Sequence, residues 1–208
     1  MPIEETVSGV DFALGTLCHF DHFDKAATLA LGDSIKMYIQ PADSVAYTNE
    51  YGFINTEILA DSIDIDGIYV IRTTGIHGRG EIGKIMGAVS GFILKAIDNP
   101  TVYIVGNCLY TPEIHVNIKK YRPDWVIINS GGAIGLPLSI TDGTVIMNEK
   151  DVAKMIEESP GYCRFIAVHM DAIDHCQTTR SILRNEADKE GISPERLIIH
   201  ADGETVNL

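Results

Sequence analysis

The chain has 208 residues and a formal net charge of -13, with 45% hydrophobic and 22% charged residues, proportions ordinary for a water-soluble globular protein. That length buries a core without disulfides or a structural metal, and the acidic balance argues against nucleic acid or an anionic membrane as partner. No stretch reads as a signal peptide or spans a bilayer, and Cys18, Cys108, Cys163 and Cys176 lack CxxC spacing, so reduced thiols in a cytoplasmic protein are expected.

In chain order, Val10 to Thr16 alternates as a strand should. Asp24 then stands as N-cap to a helix over Lys25–Leu31 that Gly32 closes. Lys36–Ile39 predicts a short strand, and Pro41 to about Asn49 a helix. Thr56–Leu59 and Ile68–Thr73 read as strands joined through the turn residues Asp64-Ile65-Asp66-Gly67. The glycine-rich stretch from Gly75 to Gly91 predicts an irregular loop.

Phe92–Ala96 and Val102–Val105, separated by Asp98-Asn99-Pro100, suggest a hairpin. Thr111 with Pro112 opens a helix, the hydroxyl acting as cap. Trp125–Ile128 is a buried strand running into Asn129-Ser130-Gly131-Gly132, and Asn148 caps a helix over Glu149–Glu158. Arg164–Val168 is a further strand that delivers His169, Thr178 or Thr179 caps a helix to about Glu190, and Leu197–Ile199 closes the series. Alternating strands and helices, without a repeat or linker, predict one α/β domain over residues 1–208.

Potential ligands recur where these strands stop. His19, Asp21 and His22 follow the first; His77 lies in the glycine stretch, Asn107 after Val102–Val105, and His169 after Arg164–Val168. Strand ends on one edge of a sheet converge in space, and imidazole with carboxylate suits zinc, iron or manganese. The residues by themselves also fit plainer roles: a hydrogen-bonded turn at 19–22, a loop residue at His77, a core histidine at His169. His175 beside Asp174 reads as an orienting pair or a loop cap. His115 reads as a surface residue, His200 lacks supporting neighbours, and Arg180 reads as a solvated helix start or an anion contact. Cys18 and Cys108, next to ligand positions, are weaker candidates for a soft metal.

Cys18-His19-Phe20-Asp21-His22-Phe23-Asp24 resembles the His-x-His-x-Asp-His signature of the metallo-β-lactamase fold, in its branch of general metal-dependent hydrolases. His77-Gly78-Arg79-Gly80, Gly106-Asn107-Cys108, Arg122-Pro123-Asp124-Trp125-Val126 with Gly131-Gly132-Ala133, and His169 to Cys176 follow in the same order. The resemblance implies a four-layer αββα sandwich lacking the usual N-terminal strands. It also implies ligand positions at Leu17, His19, Asp21, His22, His77, Asn107 and His169.

Two of those positions depart from the pattern: Leu17 cannot bind a metal, and Asn107 replaces an aspartate that bridges two ions. The expectation is therefore one zinc or manganese ion rather than two, held by Asp21, His22 and His169 with His19 and His77 assisting. Asp21 is then the proton acceptor for a water that attacks an ester, phosphoester or lactone-type bond of a small molecule. The alternative is a degenerate member of the family that binds a ligand or a protein without turnover. The short start leaves a sheet edge to be covered, which predicts a homodimer.

Overall fold

A computed structural model describes residues 2–19, 21–135 and 143–208, so Phe20 of the histidine motif lies outside the described residues. The chain divides into two compact units, 1–62 and 63–208.

The first unit holds a three-stranded sheet, β1 (Phe12–Gly15), β2 (Lys36–Ile39) and β3 (Thr56–Ile58), preceded by a short helix, α1 (Ile3–Thr6). Both pairings are parallel, with Gly15 opposite Ile39 and Ile39 opposite Ile58, so all three strands end on one edge. Parallel neighbours need a crossover, and α2 (Lys25–Leu31) supplies the one between β1 and β2. Asp24 caps it as expected, its carboxylate accepting from the Ala27 amide at 2.8 Å, and Gly32 ends it at φ 75°.

Central β2 inserts Met37 and Ile39 into a core with Phe23, Tyr47 and Phe53. The predicted helix from Pro41 is broken in two, a 3-10 turn at Pro41–Asp43 and a π-helical turn at Ala46–Glu50. The wider turn carries Tyr47, 1% exposed, whose ring meets Phe23 edge-on at 5.1 Å.

The second unit is built on a seven-stranded sheet ordered β10-β9-β8-β7-β6-β5-β4. Its strands are β4 (Ser62–Ile65), β5 (Ile68–Ile76), β6 (Ala88–Lys95), β7 (Val102–Ile104), β8 (Trp125–Asn129), β9 (Arg164–Val168) and β10 (Leu197–Ile199). The turn at 64–67 does not join β3 to β5, as the sequence suggested. It joins β4 to β5, with Asp66 and Gly67 both at positive φ and the Asp64 side chain accepting from the Gly67 amide at 3.0 Å. Two successive positive φ angles define the hairpin turn that matches strand twist.

The expected loop at 75–91 is also corrected: β5 runs to Ile76, α3 occupies Gly80–Met86, and β6 starts at Ala88. Gly83 belongs inside that helix because a Cβ there would stand 2.7 Å from the Gly78 carbonyl oxygen. β6 and β7 form the expected hairpin.

The remaining helices are α4 (Pro112–Tyr121), α5 (Glu149–Glu158) and α6 (Arg180–Lys189). Asn148 and Asp151 complete a reciprocal capping box on α5, and Thr179 caps α6. Thr111 precedes α4 without the capping hydrogen bond its hydroxyl was expected to make. One face of the sheet packs Val102, Trp125 and Ile166 with Leu94, Ile104, Ile127, Val168 and Ile198. The described residues contain no helix long and apolar enough to cross a membrane.

Candidate functional site

In the first unit the chain leaves β1 and turns tightly before α2. The His19 carbonyl accepts from the His22 amide at 3.0 Å and from the Phe23 amide at 2.8 Å. That turn gathers His19, Asp21 and His22 within one loop, with His22 Nε2 lying 3.6 Å from the Asp21 carboxylate.

Its two ends are anchored by packing. Phe23, 7% exposed, enters the aromatic cluster of Tyr47, Tyr51 and Phe53, and the Tyr47 hydroxyl donates to the Leu17 carbonyl at 3.1 Å. Leu17 itself is buried at 3% exposure, as an apolar side chain should be. Burial, aided by Asp43 and Glu50, pushes the Cys18 thiol up to about 11. A thiol binds metal as thiolate, so this environment disfavours Cys18 as a ligand at neutral pH.

In the second unit β5, β7, β8 and β9 run in the same direction, β5 and β7 being related through the antiparallel β6. Their carboxyl ends therefore lie on one edge. His77 follows directly on β5, Asn107 lies just past β7, Asn129 ends β8, and His169 follows directly on β9. Because Asn129 pairs with Val168 in register, it lies beside the base of His169.

The segment around Val145 holds this edge together. Its carbonyl accepts from the Gly78 amide at 3.1 Å and from His77 Nδ1 at 2.9 Å, while Met147 donates to the Cys108 carbonyl and Gly132 to Met147. His77 is 3% exposed. With Nδ1–H committed to a backbone carbonyl, Nε2 carries the ring's lone pair, the tautomer that metal-ligating histidines adopt.

His169 has φ 63° and Asp171 φ 60°, left-handed conformations unusual for residues other than glycine. Such strain persists only where surroundings enforce it. Here Gly131 lets the His169 backbone approach so closely that a Cβ would collide with its carbonyl oxygen, and Cys176 Sγ lies 3.4 Å from His169 Nδ1.

Arg180 tightens the same corner. It pairs with Asp171 at 2.9 Å and with Asp202, and its Nε donates to the His200 carbonyl at 2.8 Å. Arg180 is thus an internal cross-link, neither a solvated helix start nor a free anion contact, and the His200 backbone supplies part of that link. His175 contributes through its backbone, whose carbonyl accepts from the Ile134 amide. His115 is half-buried on α4 rather than a surface residue.

Asn107 is 2% exposed, and its side-chain oxygen accepts a hydrogen bond from the Asn129 amide. Asn129 was not singled out from the sequence; its place at the end of a strand beside two other ligand-type residues was the available signal. Cys108 is buried, and its thiol is pushed up to about 12 by desolvation, again against a thiolate role.

Imidazole and carboxylate donors on these turns fit a divalent metal cation by their chemistry, and the tautomer of His77 agrees with it. No family model matches the chain. The Bacillus subtilis protein described as UPF0173 protein YddR is 31% identical over 98% of this chain and 78% of its own. A UPF0173 metal-dependent hydrolase of Pyrococcus abyssi is 25% identical over 74% of this chain and 64% of its own.

Among solved structures, a possible metal-dependent hydrolase from Veillonella parvula superposes with a TM-score of 0.91 at 29% identity, covering 100% of this chain and 80% of that one. An isothiocyanate hydrolase from Delia radicum gut bacteria gives 0.89 at 29% identity, covering 100% and 81%. The metallo-β-lactamase-fold protein YhfI of Bacillus subtilis, at 0.61 and 14% identity, covers 90% of this chain and 72% of that one and shares the fold. With the histidine-rich turn in its expected place after β1, this chain belongs to the UPF0173 family of metal-dependent hydrolases with the metallo-β-lactamase fold.

Proposed function

We propose that this protein hydrolyses a small molecule with one divalent ion, zinc or manganese, held by Asp21, His22 and His169, with His19 and His77 assisting. The observation that carries the reading is the build of His77 and His169. One has its Nδ1–H committed to the Val145 carbonyl, and the other is held in a strained left-handed conformation at the end of β9. Such ordering is what ligand positions require. The bound ion supplies a water of lowered pKa and polarises the bond under attack. Asp21 receives the proton that this water gives up, and an ester, lactone or phosphoester is the bond broken. Both units belong, in this reading, to a single domain over residues 1–208.

The number of ions follows from two positions. Leu17 offers no donor, and the oxygen of Asn107 is engaged by Asn129, so the position that bridges two ions elsewhere lacks its carboxylate. The same two residues favour a second reading, a non-catalytic member that binds a ligand or protein without turnover. The homodimer and a cytoplasmic setting belong to the proposal as well. The dimer is supported by β1 and β3 being the outer strands of the three-stranded sheet among the described residues and by Ile58 on β3, 53% exposed; light scattering at micromolar concentration tests it.

The experiment for function uses whole protein with added zinc or manganese on four probes: p-nitrophenyl acetate, a simple lactone, bis-p-nitrophenyl phosphate and an isothiocyanate, the last because a structural relative is described as hydrolysing that class. Turnover that Asp21→Ala and chelation both abolish supports hydrolysis. Retention of no metal and no turnover on any probe supports the binding reading instead.

A further inference from the structure

Ala13 and Gly15 stand two apart on β1, so strand alternation turns both to one face. Both are small, and Gly15 has no room to be larger: a Cβ there would lie 2.7 Å from the Tyr47 hydroxyl. Beside them the first unit keeps a hollow of about 250 Å³, walled by Leu17, Phe23, Leu31 and Met37 together with Tyr47 and His22. Protein cores leave few gaps larger than a water molecule, so a space of this size is a feature of the unit. Leu17, which offers a metal no donor, is 3% exposed and gives this hollow apolar surface instead.

The lining selects an occupant. No Asp, Glu, Lys or Arg is among the described residues around the hollow, and the Tyr47 hydroxyl already donates to the Leu17 carbonyl. A phosphate or carboxylate entering here would lose its water without a lysine or arginine to meet it. A hydrocarbon group gains by leaving water. Size narrows the choice: an apolar cavity of about 150 Å³ admits benzene, while pockets for drug-sized ligands begin at about 300 Å³. A space of about 250 Å³ therefore suits one ring rather than a whole large ligand.

We propose that this hollow is the substrate's side-group pocket, and that it takes an uncharged hydrocarbon group of about phenyl size beside His22. The identity of the occupant as part of a substrate rests on the hydrolase reading above. Binding of the hydrocarbon itself is a property of the first unit alone and is measured without metal or turnover.

Met37, 1% exposed, supplies the readout, because six methionines give a simple methyl spectrum. Whole protein carrying methyl-labelled methionine is titrated with benzene and, separately, with inorganic phosphate, and Met37→Leu assigns the resonance. Benzene should shift the Met37 methyl saturably and phosphate should not. Ala13→Leu, which fills the hollow from β1, should weaken benzene binding by about tenfold or more. Leu31→Phe, at the half-buried end of α2, carries the test should Ala13→Leu fail to fold. With zinc or manganese added, kcat/KM on p-nitrophenyl phenylacetate should exceed that on p-nitrophenyl acetate by about tenfold or more, and either filling variant should bring the ratio close to one. A Met37 methyl indifferent to benzene, or one that responds to phosphate, overturns the pocket whatever the turnover. A wild-type ratio near one, or a preference that survives filling, overturns its role in substrate choice. Saturable benzene binding without turnover of any ester keeps the pocket and sinks the hydrolase reading instead.

Discussion

Replacing Tyr47 by phenylalanine removes one hydroxyl from a ring that is 1% exposed. That hydroxyl holds the Leu17 carbonyl at 3.1 Å, at the entry to the turn bearing His19, Asp21 and His22. The ring keeps its edge-on contact with Phe23 at 5.1 Å, so little packing is lost. What remains is a carbonyl deprived of its partner beneath buried Leu17. An unsatisfied buried acceptor costs about 1–3 kcal/mol, against about 0.5–1.5 kcal/mol for an ordinary net hydrogen bond. The overlap of those ranges, about 1–1.5 kcal/mol, corresponds to a fall in Tm of roughly 2–6 °C for a chain of this size.

The effect should also be local. Hydrogen exchange of amides in residues 17–24 should accelerate more than that of β8 and β9, and zinc affinity should weaken while the fold persists. Calorimetry and exchange mass spectrometry read both quantities. A Tyr47→Phe protein with unchanged Tm and unchanged exchange in 17–24 would refute the claim that this hydroxyl holds the turn in place.

Other predictions concern the second unit. Gly131→Ala drives a Cβ into the His169 carbonyl and to 2.7 Å from Cys176 Sγ; thermal melts should show a loss of about 1–3 kcal/mol, with metal affinity reduced. Arg180→Lys removes the forked contacts to Asp171 and Asp202 and the Nε donor to the His200 carbonyl. Because these carboxylates are partly or largely exposed, Tm should drop by only a few degrees, but exchange at 169–172 should rise clearly. An unchanged exchange pattern there would remove Arg180 from the account of the His169 corner.

The Cys163 thiol donates to the Pro123 carbonyl at 3.3 Å, and burial raises it from 9.0 to about 11. The folded form therefore holds its proton longer than the unfolded form. The stabilisation is complete below pH 9.0 and disappears as pH climbs through about 11. Cys163→Ser should flatten the alkaline limb of the stability curve over that window.

Local chemistry made much of the fold legible. Asp24 and Gly32 bound α2, Asn148 with Asp151 opens α5, and β2 and β9 coincide with their apolar runs. Where the structure departs from the sequence pattern, a close contact outweighs local preference. Gly83 looks like a helix breaker yet fits within α3 because of the Gly78 carbonyl. The residues after Pro41 form two short irregular turns because Tyr47 is drawn into the aromatic core against Phe23.

The candidate site divides in the same way. His19, Asp21, His22, His77, Asn107 and His169 were visible as ligand types at strand ends. The left-handed backbone of His169, the Asn129–Asn107 pair and the Arg180 cross-link were not. Each depends on partners remote in sequence that only the sheet order brings into register.

The central claim, one ion on an incomplete ligand set, is tested most directly by counting metal. Protein loaded with zinc or manganese and dialysed should retain one equivalent, His169→Ala should retain almost none, and Leu17→His with Asn107→Asp should gain a second. A wild-type chain that retains no metal, or two equivalents indifferent to His169→Ala, would contradict the account.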